Sequence, residues 1–201
     1  KILEEERELT VYLLVDISAS GDFGSINRLK SDIISEVAAI LSFSAVKNKD
    51  KVGLILFTEE VEKFIPPEKS RSHVLRVIRE IIFHKPSSLK TNISKALNFL
   101  MKVSKRRSIV FVISDFIDKG FWKPLKIINK KHDLIGIKIS DPAELNFPNI
   151  GLFKIFDEEN NQEHWVNFNS KVMRDSLSIR SKNDLTKFRS KCKKNNFDLI
   201  E

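Results

Sequence analysis

Three unbroken apolar runs constrain this chain more than anything else in it. "LTVYLLVD" (9–16), "KVGLILF" (51–57) and "RSIVFVIS" (107–114) carry little or no alternation of apolar and polar residues. A strand with one wet face alternates, whereas a strand covered on both faces reads as a continuous Val/Ile/Leu run. Segments of helical period lie between these runs. Leu29, Ile33, Val37 and Leu41 fall on one helical line, with Ile34, Ala38 and Ala45 beside it. Val74, Val77, Ile78 and Ile81 predict a helix over 70–83, and Ile93, Ala96, Leu97 and Leu100 predict another over 90–103. Buried strands alternating with helices specify an α/β fold around a mostly parallel sheet.

The remaining elements follow the same logic. "VEKFI" (61–65) comes after the polar turn "TEE" and reads as an antiparallel edge strand, stopped by Pro66-Pro67. "FWKPLKIINKK" reads as a short helix, "HDLIGIKIS" (132–140) as a fourth buried strand and "GLFKIFD" (151–157) as a fifth. "NNQ" at 160–162 turns back into "EHWVNF", and a last helix spans about 170–194, with Met173, Leu177, Leu185, Phe188 and Cys192 on one side. Trp122 and Trp165 are expected in the core, with a role as interface anchors as the alternative. No repeat, low-complexity stretch or linker interrupts the chain, so one domain over 1–201 is expected. The opening "KILEEERELT" begins at Lys1 rather than Met, which points to a piece of a longer protein.

Composition closes off several classes of function. No apolar stretch approaches the roughly 18 residues of a membrane span, and no secretory leader pattern opens the chain. Membrane attachment would therefore need a segment outside this chain. One cysteine, Cys192, and four scattered histidines exclude an internal disulfide and do not match the usual zinc spacings. A reducing, cytoplasmic setting is the expectation. The net charge is +8, and residues 171–194 supply +7 of it, with nine Lys or Arg against two Asp. The basic character belongs to the last helix.

"DISASGDFGS" (16–25) leaves the first strand with Asp16, Ser18 and Ser20 at alternate positions. Asp115 stands at the end of the third buried run, and Thr91 opens a helix just before that run. In open α/β sheets, ligands sit beyond the carboxyl ends of strands where the winding reverses. If the two strands are neighbours there, Asp16, Ser18, Ser20, Thr91 and Asp115 converge. Such a set holds two carboxylates and three hydroxyls, with no His or Cys. Hard oxygen donors select Mg²⁺ or Mn²⁺ over zinc or copper. Taken singly, each residue has a plainer reading as a cap or turn residue. Asp118, Asp141 and Glu144 are candidates for the rim or for contacts behind the metal-facing oxygens, with Asp118 also a candidate cap of the helix near Phe121.

Asp16-x-Ser18-x-Ser20 with Thr91 and Asp115 resembles the metal-ion-dependent adhesion site of von Willebrand factor type A domains. The resemblance implies a Rossmann-like three-layer sandwich with a mostly parallel sheet and one antiparallel edge strand. It also implies that the serines and threonine contact the ion while the aspartates act directly or through water. "EERELTVYLLVDISAS", "VGLILFTEEVEKFIPP", "TNISKAL", "RRSIVFVISDFID" and "HDLIGIKISDPAELNFPNIGL" together look like the bacterial domain of unknown function 58, over roughly residues 4–160. Gly21 stands where that group usually has Met, and "SSLKT" replaces a glycine-rich turn common in type A domains. Members are often encoded beside MoxR-type AAA+ ATPases, so the resemblance implies an assembly or chaperone partner of that type.

The expected function is a protein-interaction module, not an enzyme, in which Mg²⁺ or Mn²⁺ accepts an Asp or Glu carboxylate from a partner. Two other readings stand beside it. A phosphohydrolase would use Asp16 as nucleophile, but Ser18 occupies the place where haloacid-dehalogenase-like enzymes carry a second Asp, and no Gly-rich phosphate loop is present. A nucleic-acid binder would use the basic last helix, but no aromatic residues interleave its basic face.

Overall fold

The computed structural model describes residues 8–18, 29–118, 120–147, 149, 151–157 and 162–201. Its contacts divide into two compact units, one of residues 1–139 with 192–201 and one of residues 140–191.

The first unit is built on a six-stranded sheet. β1 (Thr10–Asp16), β2 (Lys51–Phe57), β3 (Val61–Glu68), β4 (Ile109–Ser114), β5 (Asp133–Lys138) and β8 (Asp198–Ile200) lie in the order β3-β2-β1-β4-β5-β8. Every pair is parallel except β2 with β3. Four helices connect them: α1 (Lys30–Lys47), α2 (Arg71–Phe83), α3 (Ile93–Val103) and α4 (Trp122–Asn129). The order shows the winding reversal directly. From β1 the chain goes outward to β2 and β3, then returns to the other side of β1 for β4 and β5.

Strand periodicity divides the core into two layers. Val11, Leu13, Val15, Val52, Leu54 and Leu56 share a cluster with Ile34 and Ala38 of α1 and Val74, Val77 and Ile81 of α2. Tyr12, Leu14 and Asp16 have the opposite parity, as do Val110, Val112 and Ser114. They face the layer of α3 and α4, where Ile93, Leu97, Leu100, Leu125 and Ile128 are buried. This α/β sandwich, with one antiparallel edge strand, is the expected von Willebrand factor type A-like architecture.

Several expectations need correction. β3 does not stop at Pro66-Pro67 but runs to Glu68, with a register shift between the Val52 and Leu54 pairings. An edge strand has no outer neighbour, so a missing N–H is tolerated there. α1 buries Ile34, Ala38 and Ala45 and packs Ile33, Val37 and Leu41 partly buried against the same cluster, whereas Leu29, the residue before the helix, is 43% exposed. "DLI" at 198–200 forms β8 in the central sheet, a strand absent from the expectation.

The second unit holds a 3-10 turn (Pro142–Glu144), the antiparallel pair β6 (Leu152–Asp157) and β7 (Gln162–Asn167), and most of α5 (Lys171–Lys194). β6 was expected to be a fifth buried strand; it pairs with β7 in a separate two-stranded sheet. Trp165 on β7 is 65% exposed, against the expectation of core burial. Trp122 is half-buried and stacks on Phe121 with ring centroids 4.7 Å apart. Among the described residues no helix is long and apolar enough to cross a membrane.

Candidate functional site

β1 and β4 are hydrogen-bonded neighbours, with Val15 opposite Ile113, so their carboxyl ends meet at the point where the winding reverses. Asp16 and Asp115 are both buried there, at 4% and 5% exposure. Ile17 N–H donates to Phe57 O at 3.0 Å, which carries the chain past the end of β2. Ser18 N–H then folds back and donates to Asp16 Oδ1 at 3.0 Å.

Thr91 reaches the same place from the loop between α2 and α3. Its hydroxyl lies 2.7 Å from Ser18 Oγ and 3.2–3.3 Å from the two Asp16 carboxylate oxygens. Contacts of Asn92 fix the end of this loop next to α3. Asn92 N–H donates to Thr58 O at 2.9 Å, and the Asn92 side chain caps α3 by accepting from Lys95 N–H at 3.1 Å. Thr91 thus sits one residue before the cap, not inside the helix as the 90–103 expectation had it.

Asp118 was expected near this region and plays a definite part. Its Oδ2 accepts from Ile93 N–H at 2.9 Å, and its Oδ1 accepts from Gly120 N–H at 2.8 Å. It therefore caps α3 across the site rather than the helix that follows it. That ties the Thr91 loop to the loop after β4. Asp141 caps the 3-10 turn, accepting from Ala143 N–H at 2.7 Å, and Glu144 closes that turn; both belong to the second unit. Ser20 lies outside the described residues.

Sequence reasoning missed Ser114. Its hydroxyl donates to Asp16 Oδ2 at 2.7 Å and accepts from Phe116 N–H at 3.1 Å. The signal was available in principle. Asp16 and Ser114 share parity on adjacent parallel strands, so a β1–β4 register would have placed them side by side. Phe116 has φ 59°, a left-handed conformation that costs a bulky residue of order 1 kcal/mol or more. Packing compensates: Phe116 is 6% exposed and lies 5.8 Å from the Phe121 ring and 6.0 Å from the Phe197 ring. The bend turns the chain away immediately after Asp115. Ile117 N–H donates to Asp115 Oδ1 at 3.1 Å, and the Lys138 ammonium donates to the Asp115 backbone carbonyl.

The electrostatics are those of a site short of positive charge. Burial pushes the Asp16 carboxyl up from its ordinary value. Hydrogen bonds from Ser114 and Ser18 pull it back, and the nearby Asp115 carboxylate raises it further. Asp115 Oδ2 is buried with no hydrogen-bond partner among the described residues. Buried polar atoms are nearly always paired, so an orphaned carboxylate oxygen calls for a specific explanation. Among the described residues no three His, Cys, Asp or Glu side chains cluster. The donors are two carboxylates and hydroxyls, a set that fits a hard divalent cation and does not fit zinc.

Comparisons with known proteins agree with this architecture. An aerotolerance-related membrane protein from Bacteroides fragilis NCTC 9343, carrying multiple mutations to serines, superposes with TM-score 0.62 at 16% identity, covering 96% of this chain and 92% of that one. BatB from Bacteroides thetaiotaomicron, a conserved hypothetical protein, gives TM-score 0.60 at 16% identity, covering 94% and 98%. At such identities the likeness establishes the fold. The uncharacterized protein Rv1480 of Mycobacterium tuberculosis (strain ATCC 25618 / H37Rv) is 28% identical over 157 residues, 77% of this chain and 50% of the relative. Mb1516 of Mycobacterium bovis, also described as uncharacterized, matches with the same figures. The chain thus spans about half the length of the curated relatives it matches. The family described as "Protein of unknown function DUF58" matches residues 1–186, and the chain belongs to that family.

Proposed function

We propose that this domain is a metal-ion-dependent protein-interaction module. Asp16, Ser18, Ser20, Thr91 and Asp115 hold Mg²⁺ or Mn²⁺, and the ion accepts a carboxylate from an Asp or Glu of a protein partner. The observation that carries this reading is the pair of buried carboxylates at the winding reversal, one with an orphaned oxygen and the other pushed up by burial. A bound dication supplies the missing positive charge and an electrophilic centre. The hydroxyls bring no formal charge and the two carboxylates formally balance the dication, so the ion stays electrophilic toward a third carboxylate where Asp16 or Asp115 acts through water rather than in direct contact. Asp118 acts from behind by fixing the Thr91 loop. Resemblance adds a MoxR-type AAA+ ATPase as the partner in an assembly or chaperone role. The reading includes a reducing, cytoplasmic setting, which rests on the single cysteine, Cys192.

The test is a melting titration with Mg²⁺ and Mn²⁺. Binding to the folded state alone raises the melting temperature as the ion concentration grows. The wild type is expected to respond and Asp16→Ala is not, with circular dichroism spectra alike. A wild type indifferent to both ions overturns the metal reading. A complex with the ATPase that forms equally well in excess EDTA overturns the interaction mechanism.

A further inference from the structure

The outward face of α2 is not built like a helix that meets only water. Its inward positions Val74, Val77 and Ile81 are buried. On the other side Leu75 is 56% exposed and Phe83 74% exposed, with Ile82 at 54%. Leu75 and Phe83 are eight residues apart, about 12 Å along the axis at 1.5 Å per residue. A shallow open groove of about 760 Å³ lies over this face, and its lining, from Ser72 to Lys85, belongs wholly to α2 and the two residues after it.

The charges in this groove are one-sided. Its one acid, Glu80, faces Lys63 at 3.6 Å, and His84 is engaged with Glu62 at 2.9 Å. Arg76, Arg79 and Lys85 are exposed and have no ion-pair partner among the described residues. The face therefore presents two apolar anchor points with three uncompensated cations between and beside them. An open groove of this kind buries too little of a small molecule to hold it well. A single outward helix face with apolar side chains two turns apart is instead the surface against which a second amphipathic helix packs alongside. Opposite charges around such anchors fix register and suppress wrong partners.

We propose that the α2 groove docks an acidic amphipathic helical segment of a partner protein. That segment carries two large apolar side chains about seven residues apart, with Asp or Glu flanking them. Leu75 and Phe83 receive the apolar side chains, and Arg76, Arg79 and Lys85 meet the carboxylates. The contact uses none of Asp16, Ser18, Thr91 or Asp115, so it stands or falls apart from the metal reading.

The experiment is a selection of displayed 16-residue peptides on the intact chain, with enriched peptides synthesised and measured by fluorescence anisotropy. Enrichment of acidic peptides with paired apolar anchors is expected. Their affinity should drop at least tenfold for Arg76→Glu/Arg79→Glu and for Phe83→Ser, and should weaken with added salt. It should survive Asp16→Ala and EDTA. The altered side chains are exposed, so melting temperatures should match the wild type, and Arg79→Gln gives a milder second variant that should lose affinity in part. No enrichment, peptides without acids, or affinity indifferent to the charge reversal each overturn the proposal. Sedimentation showing a dimer that the charge reversal dissolves would assign the face to a second copy of the chain and overturn it as well.

Discussion

Ser114 donates its hydroxyl proton to Asp16 Oδ2 at 2.7 Å, linking the ends of two strands 98 residues apart in the chain. The bond is buried and goes to a carboxylate that burial already disfavours as an anion. Ser114→Ala removes this donor and also the acceptor for Phe116 N–H. A hydrogen bond to a charged, buried group is worth about 1.5–3 kcal/mol. Urea denaturation at neutral pH in EDTA should show a loss of that order. An unchanged midpoint would mean that neither hydrogen bond contributes.

Asp16→Asn should behave in the opposite way. The Asp16 carboxyl is raised above its ordinary value of 3.8 in the folded chain, so the folded state binds that proton more tightly than the unfolded state. Without an ion, the contribution of this group to stability falls as pH rises through the ordinary value toward the raised one. Asn carries no charge to desolvate. In EDTA at neutral pH the variant should melt no lower than the wild type and show a flatter pH profile above pH 4. In Mg²⁺ the ranking should reverse, because only the wild type gains from the ion. A variant that melts well below the wild type in EDTA would show that the Asp16 charge is not a burden to the fold.

These two residues also show what the sequence could and could not disclose. Asp16 was legible because it ends a continuous apolar run and begins an alternating set of oxygen donors. Ser114 was not, because a serine before an aspartate reads as the first polar residue of a loop until the register of β1 against β4 is known. β8 escaped because three residues, Asp198 to Ile200, carry no period. "GLFKIFD" misled for a related reason: a short apolar run does not say which sheet it joins, and among the described residues β6 pairs with β7 alone. Asp118 was legible as a cap, but its target was not, since Ile93 lies 25 residues earlier.

Glu62 holds the loop that carries Thr91. Its carboxylate accepts from the Thr58 hydroxyl, from the Ser87 N–H at 2.9 Å and hydroxyl at 2.7 Å, and pairs with His84 at 2.9 Å. Burial raises the Glu62 carboxyl, but hydrogen bonds from Thr58, Ser87 and His84 outweigh it and hold the carboxyl at about 2. A depressed carboxylate stabilises fully above its ordinary value of 4.5, and the gain is lost as pH falls from there toward about 2. Glu62→Gln should cost about 1–2 kcal/mol at pH 7, allowing for solvent screening. The difference from wild type should vanish near pH 2. Amide exchange across 84–91 should quicken in the variant; equal exchange would show that the loop is held by other contacts.

Gly136 on β5 packs directly against β8 and the residue that leads into it. A Cβ there would lie 2.5 Å from Phe197 Cζ, 2.8 Å from Phe197 Cε1 and 3.1 Å from Leu199 Cδ1. Gly136 pairs with Leu199 across the β5–β8 ladder, so an added methyl pushes directly on β8. Phe197 has little room to yield, being 4% exposed and packed against Phe116 with ring centroids 6.0 Å apart. Phe116 is the left-handed residue that turns the chain after Asp115. Gly136→Ala should therefore cost about 1–3 kcal/mol, the usual range for overpacking a filled core. Hydrogen exchange should locate the damage: amides of 197–200 should exchange much faster, while those of β1 and β2 keep their protection. The Mg²⁺ melting response should weaken in the same variant, because the packing that holds Phe116 in its strained conformation also sets where Asp115 points. A normal ion response with a loosened β8 would separate the two, and would show that Phe121 alone is enough to hold the turn after Asp115.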